Sequence, residues 1–179
     1  VAVDVGSTTV AARLCDLATA EGVTSASVMN PQIPFGEDLM SRVSYSMMNP
    51  GGDLEMTKSI REAINVLVSD IAKEANIAHE LILEVVIVCN PVMHHLLLGI
   101  DPIELGQAPF ALATSEAISL GADELDLNSI NPSAQCYILP CIAGHVGADA
   151  AAVALSEQPN KSDDLVLIVD VGTNAELLL

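Results

Sequence analysis

Val-Ala-Val-Asp-Val-Gly-Ser-Thr-Thr at residues 1–9 returns near the other end of the chain as Leu-Ile-Val-Asp-Val-Gly-Thr-Asn at residues 167–174. Superposing Asp4 on Asp170 places Gly6 on Gly172, Ser7 on Thr173 and Thr8 on Asn174. Each copy is an apolar run closed by an aspartate, then a glycine and two small residues bearing hydroxyl or amide groups. The apolar run reads as a buried strand, and Asp-x-Gly at its end as a tight turn into a partner strand. Such a turn gathers backbone N–H groups, hydroxyl donors and one carboxylate at a point. The donors suit phosphate oxygens, and the carboxylate suits the magnesium that travels with them. One such turn means little, since hairpins use it freely. Two copies on equivalent strands predict two related lobes closing on one nucleotide.

On this reading Asp4 and Asp170 are the candidate catalytic residues. They would hold magnesium, directly or through water, and position the group that attacks the terminal phosphate. Gly6 and Gly172 would bring backbone N–H groups to the nucleotide's phosphates, and Ser7, Thr8, Thr9, Thr173 and Asn174 would add side-chain donors. The plainer alternative is turn chemistry alone, with each aspartate bonding its own backbone.

Lysine and arginine number 6 against 24 acids, a net charge of −18. A surface this acidic repels phosphate backbones and anionic lipid, so neither nucleic acid nor membrane is an expected partner. With so few cations, a bound triphosphate must be neutralised by metal and backbone dipoles. A Gly-x-x-x-x-Gly-Lys-Ser/Thr loop is absent, which excludes the P-loop solution. The hydrophobic share of 51% excludes disorder. Cys15, Cys89, Cys136 and Cys141 fit neither zinc nor ferredoxin spacing, and a reducing, cytoplasmic setting follows as the default. The chain starts on a strand without an initiator methionine and stops inside an expected hairpin, so both ends read as cut from something longer.

In chain order, residues 1–5, 9–17 and 23–29 read as three strands, broken by Pro31 and Pro34. Residues 37–48 read as a short helix, and Asp53 as the N-cap of the clearest helix, whose apolar positions are Leu54, Ile60, Ile64, Leu67, Val68, Ile71 and Ala75. Residues 84–90 form a strand and 93–98 a short helix closed by Gly99. Residues 100–134 show no clean period and read as an insertion carrying one hairpin. A strand at 136–139, a helix at 148–155, a polar linker and a strand from Leu165 complete the chain. His94 and His95 point about 100° apart on a helix, which predicts one buried and one partner-facing ring. Gly144, Gly147 and Asp149 read either as a cleft-facing helix start or as packing. Met40, Met47, Met48 and Met56 read as core or interface filler.

This element order is that of a ribonuclease-H-like lobe, an α/β fold with a mixed sheet flanked by helices. It is the lobe of the actin/acetate-and-sugar-kinase/heat-shock-chaperone superfamily. The expected division is a first lobe over 1–158, with 100–134 inserted, and the start of a second lobe at 163–179.

Several segments together resemble the reductive activators of corrinoid proteins: Asp4 to Val10, Met29 to Gln32, Gly36 to Val43, Asn90 to Pro102, Leu105 to Phe110, Leu139 to Asp149 and Asp170 to Glu176. Departures from the family pattern are Ser7 for threonine, Pro91-Val92 for a threonine pair, His145 for an aromatic and Ala175 for a glycine. The resemblance implies an ATPase domain that uses ATP and Mg2+ to drive reduction of cob(II)alamin to cob(I)alamin on the corrinoid protein of a methyltransferase system. It also implies a [2Fe–2S] domain ahead of this chain. The segment alone is expected to be inactive and to bind nucleotide poorly, because half the cleft lies elsewhere. Its exposed C-terminal sheet edge predicts association, a homodimer included, or disorder there. The alternatives on the same fold are a sugar or acyl kinase and a non-enzymatic actin-like nucleotide-binding module.

Overall fold

Small and branched residues alternate through β1 (Ala2–Val5) and β2 (Thr9–Cys15), so Val3, Val5, Val10, Ala12 and Leu14 share one buried face. In this computed structural model, which describes residues 1–179 apart from Ser162 and Asn174, β3 (Gly22–Met29) adds an antiparallel third strand. On the other side of β1, β4 (Glu84–Cys89) pairs in parallel, with Val5 beside Cys89. Next come β6 (Gln135–Ile138), parallel to β4, and β5 (Ile118–Gly121), antiparallel at the edge. The order is therefore β3-β2-β1-β4-β6-β5.

The three parallel strands end along one side of the sheet. Open α/β sheets bind ligands there, because the strand-to-helix connections leave a crevice. The turn at Gly6 to Thr8 follows β1, and Asn90 follows β4, so the fold carries both to that crevice.

The first helix, α1 (Leu39–Met48), is capped by Asp38, whose carboxylate accepts from the Ser41 N–H at 2.8 Å. The long α2 (Gly52–Glu74) buries Met56, Ile60, Ile64, Leu67, Val68 and Ile71 against β2 and β3. Asp53 is not its cap. Gly51 adopts a left-handed φ of 84°, and its carbonyl accepts the first helical bond from Glu55, so the helix is entered two residues early. Asp53 instead sits in the first turn, where its charge favours the helix dipole. Leu54, expected in the apolar face, is exposed.

The next helix, α3 (Pro91–Leu98), starts at Pro91 rather than Met93, with the Asn90 side chain accepting from the Met93 N–H at 3.0 Å. Gly99, at φ 75°, ends it. Residues 100–134 lack a period because they are mostly irregular chain and 3-10 turns. They nonetheless supply Leu105, Ala122, Leu125, Leu127, Ile130 and Ala134 to the main core, and the edge strand β5.

A fourth helix, α4 (Ala148–Glu157), packs against β4 and against β7 (Ile168–Val171). β7 begins at Ile168 rather than Leu165, and with β8 (Ala175–Leu178) it makes a separate antiparallel sheet. Among the described residues no helix is long and apolar enough to cross a membrane.

Candidate nucleotide site

The first turn is closed by the Gly6 N–H donating to the Thr9 carbonyl at 3.0 Å. A Cβ on Gly6 would stand 2.8 Å from that oxygen, so only glycine fits. Ser7 is buried, with the Asn90 side chain donating to its hydroxyl at 3.3 Å. The Thr8 hydroxyl points outward and meets the Thr173 hydroxyl of the second turn at 2.7 Å. Two turns that are remote in sequence are thereby brought together.

Around them opens a cleft of about 290 Å³. Of the residues expected from the sequence, Asp4, Gly6, Ser7, Thr8, Thr9, Asp170, Gly172 and Thr173 all line it. Asn174, also expected there, lies outside the described residues. Asn90 and Glu176 line it too and were not foreseen in that role; Asp149 lines it as well. Asp149 thus faces the cleft from the first turn of α4, whereas Gly144 and Gly147 pack closely against the backbone of Phe110 and of Cys89 and Asn90.

Ala175, where a glycine would be usual, is an ordinary strand residue paired with Val171, so no left-handed backbone is demanded of it.

Four carboxylates therefore converge with no lysine or arginine among the lining residues. Solvent reaches Asp4, but the cleft walls crowd its carboxyl. That burial, followed by the charges of Asp149 and Asp170, raises its pKa. Burial likewise raises Asp149, opposed by the Ala150 N–H that bonds it at 2.9 Å and assisted by Asp170. Glu176 is raised by burial and then by Asp149 and Asp170. Mutual repulsion of this kind is relieved by a cation.

Among the described residues no three His, Cys, Asp or Glu side chains stand close enough to share one metal ion directly. Magnesium does not require them to. It keeps several waters and is held by one or two carboxylates together with substrate phosphates. Hard oxygen donors, spaced too widely for a closed cage, fit that mode of binding.

The turn also rests on polar side chains from below. Asn30 donates to the Gly6 carbonyl at 2.7 Å, and Arg42 donates to the Ser7 carbonyl. Gln32 links both: its N–H donates to Asn30 at 2.9 Å, and its Oε1 accepts from Arg42 at 3.2 Å. All three are buried.

The histidine expectation was wrong in one half, since both rings are buried. The Nδ1 of His95 lies 2.8 Å from the Pro91 carbonyl and its Nε2 3.0 Å from the Ala113 N–H, which assigns the proton to Nδ1. His94 has no hydrogen-bond partner on either nitrogen among the described residues, and burial pushes its pKa down to about 4. Met56 is core filler, whereas Met40, Met47 and Met48 are exposed.

A mixed sheet flanked by helices, with an Asp-x-Gly turn after its first strand, is consistent with an actin-like lobe. Residues 1–162 match the family described as the RACo middle region, and the chain belongs to that family. The corrinoid activation enzyme RamQ of Eubacterium limosum is 34% identical over 177 residues, covering 99% of this chain and 29% of its own. A solved structure described as a reductive activator for corrinoid, iron-sulfur protein superposes with a TM-score of 0.94 at 32% identity. That match covers 98% of this chain and 28% of the other. The chain thus spans less than a third of the length of either relative.

Proposed function

We propose that this chain supplies the first lobe, over 1–158, and the opening of the second, over 163–179, of an ATP-hydrolysing reductive activator of a corrinoid protein. One observation carries the reading: both aspartate turns and four carboxylates line a single cleft that holds no lysine or arginine side chain. A cleft of that charge accepts a triphosphate only together with a divalent cation. Magnesium, when bound, would offset the phosphate charge and stabilise the charge that develops on hydrolysis.

The chain's own groups do the rest. Gly6, Ser7, Thr8 and Thr9 on one side, and Gly172 and Thr173 on the other, offer fixed donors to phosphate oxygens. Asp4 and Asp170 would hold the ion, directly or through water. Asp149, with its raised pKa, stands where it can orient the attacking water and take up its proton.

Hydrolysis to ADP and phosphate would change how the two turns are held together, and that motion would be passed to the partner. The electron that takes cob(II)alamin to cob(I)alamin, on the corrinoid protein of a methyltransferase system, would come from a reduced [2Fe–2S] cluster in a domain of the activator ahead of this chain. A reducing cytoplasm suits the four free thiols.

The test is spectroscopic. In the full-length protein with its corrinoid partner and a low-potential reductant, the cob(I)alamin band should grow only when Mg-ATP is present. Growth at the same rate without nucleotide would rule the reading out.

A further inference from the structure

None of the chain's six cations lines the cleft, yet one lies directly beneath it. Arg42, on α1, is 0% exposed. Its Nε donates to the Gly36 carbonyl at 2.9 Å, one Nη to Gln32 at 3.2 Å and to the Met93 sulfur at 3.0 Å, and the other Nη to the Ser7 carbonyl. None of these acceptors is a carboxylate. Among the described residues, the acid that acts on it electrostatically is Asp38, which is engaged in capping α1. A guanidinium buried without an ion partner is costly to the fold, so its retention calls for a counterpart.

The geometry of the turn supplies one. In a trans peptide the C=O and the following N–H point in opposite directions. Asn30 draws the Gly6 carbonyl inward and Arg42 draws the Ser7 carbonyl inward. The N–H groups of Ser7 and Thr8 must then face the cleft, and neither makes a hydrogen bond among the described residues. An anion held by those two N–H groups would be separated from the guanidinium by one layer of peptides, whose dipoles point their positive ends at it.

We propose that Arg42 is the positioning residue of the phosphate site, acting from below: it orients the Ser7 and Thr8 N–H groups and supplies the positive charge that a lysine supplies from above in other phosphate sites. The assignment rests on the nucleotide reading and names the residue that lets an acidic cleft accept phosphate. Arg42 does not touch the nucleotide, so its removal should be felt in proportion to phosphate charge.

The experiment is calorimetric titration of the full-length protein with Mg-ATP and with adenosine, on wild type, Arg42→Met and Arg42→Lys, each checked for folding by circular dichroism. Arg42→Met should weaken Mg-ATP binding by about tenfold or more while leaving adenosine affinity unchanged. Arg42→Lys keeps the charge and loses the fork, and should recover part of that loss. A folded Arg42→Met that binds Mg-ATP as wild type does, or loses ATP and adenosine alike, would overturn the assignment. If Arg42→Met does not fold, Arg42→Lys decides it: roughly threefold weaker Mg-ATP with adenosine unchanged supports it, and equal effects on both ligands or none refute it. Wild-type protein that fails to bind Mg-ATP would remove the nucleotide reading first, and this assignment with it.

Discussion

The hydroxyls of Thr8 and Thr173, 165 residues apart, lie 2.7 Å from each other at the mouth of the cleft. Each belongs to a donor-rich turn, and their contact joins the two turns. An exposed hydrogen bond of this kind contributes only about 0.5–1.5 kcal/mol. Thr8→Val and Thr173→Val should therefore each weaken Mg-ATP binding by roughly three- to tenfold. The double variant should lose less than the product of the two, because either substitution already breaks the shared contact. Calorimetric titration of the four proteins measures that coupling.

The crowded carboxyls give the ligand-free protein a pH signature. Asp4, Asp149 and Glu176 all have raised pKa values in the folded state. Between the ordinary carboxyl range and those raised values the folded protein binds more protons than the unfolded chain, so stability falls as pH rises through that window. Magnesium should offset the fall. Asp149→Asn should raise the melting temperature of the ligand-free protein at neutral pH and reduce its gain on adding magnesium. Thermal unfolding against pH, with and without the ion, checks both.

His94 contributes in the opposite direction. Its folded pKa is held near 4, below the histidine value of 6.5, so the unfolded chain takes up a proton first as pH falls. Stability therefore falls progressively from about pH 6.5 down to 4, by up to roughly 3 kcal/mol. His94→Leu removes both unpartnered nitrogens, and denaturant unfolding should show a flatter pH profile with stability at neutral pH kept or improved.

Asn90 serves two elements at once, since it caps α3 through the Met93 N–H and donates to the Ser7 hydroxyl. Asn90→Ala should lower stability by about 1–2 kcal/mol and weaken nucleotide binding as well. Asp38→Ala, which removes the α1 cap, should cost about 1 kcal/mol in the same denaturant titration.

Much of this was legible in the residues themselves. The valine alternation of β1 and the repeat of the aspartate turn pointed to the strands, the lobe type and most of the residues that line the cleft, because each copy of the turn is a short, contiguous signal. The face of α2 was readable except at its start, where the left-handed backbone of Gly51 shifts the entry in a way that an Asp53 cap could not reveal. Residues 100–134 were opaque because 3-10 turns have no amphipathic period, although they help fill the core. Asn30, Arg42 and Asn90 join the site only because separate elements converge at the ends of parallel strands. Nothing within a short window of sequence records that convergence, and the burial of both adjacent histidines is hidden for the same reason.

The most direct measurement is steady-state ATP hydrolysis by the full-length protein carrying Asp4→Asn, Asp170→Asn, or both. If the two aspartate turns work as one site, each single variant should lose about 100-fold or more in turnover, and the double should lose little beyond either single. Wild-type turnover in either single variant, or losses that multiply in the double, would contradict a shared site.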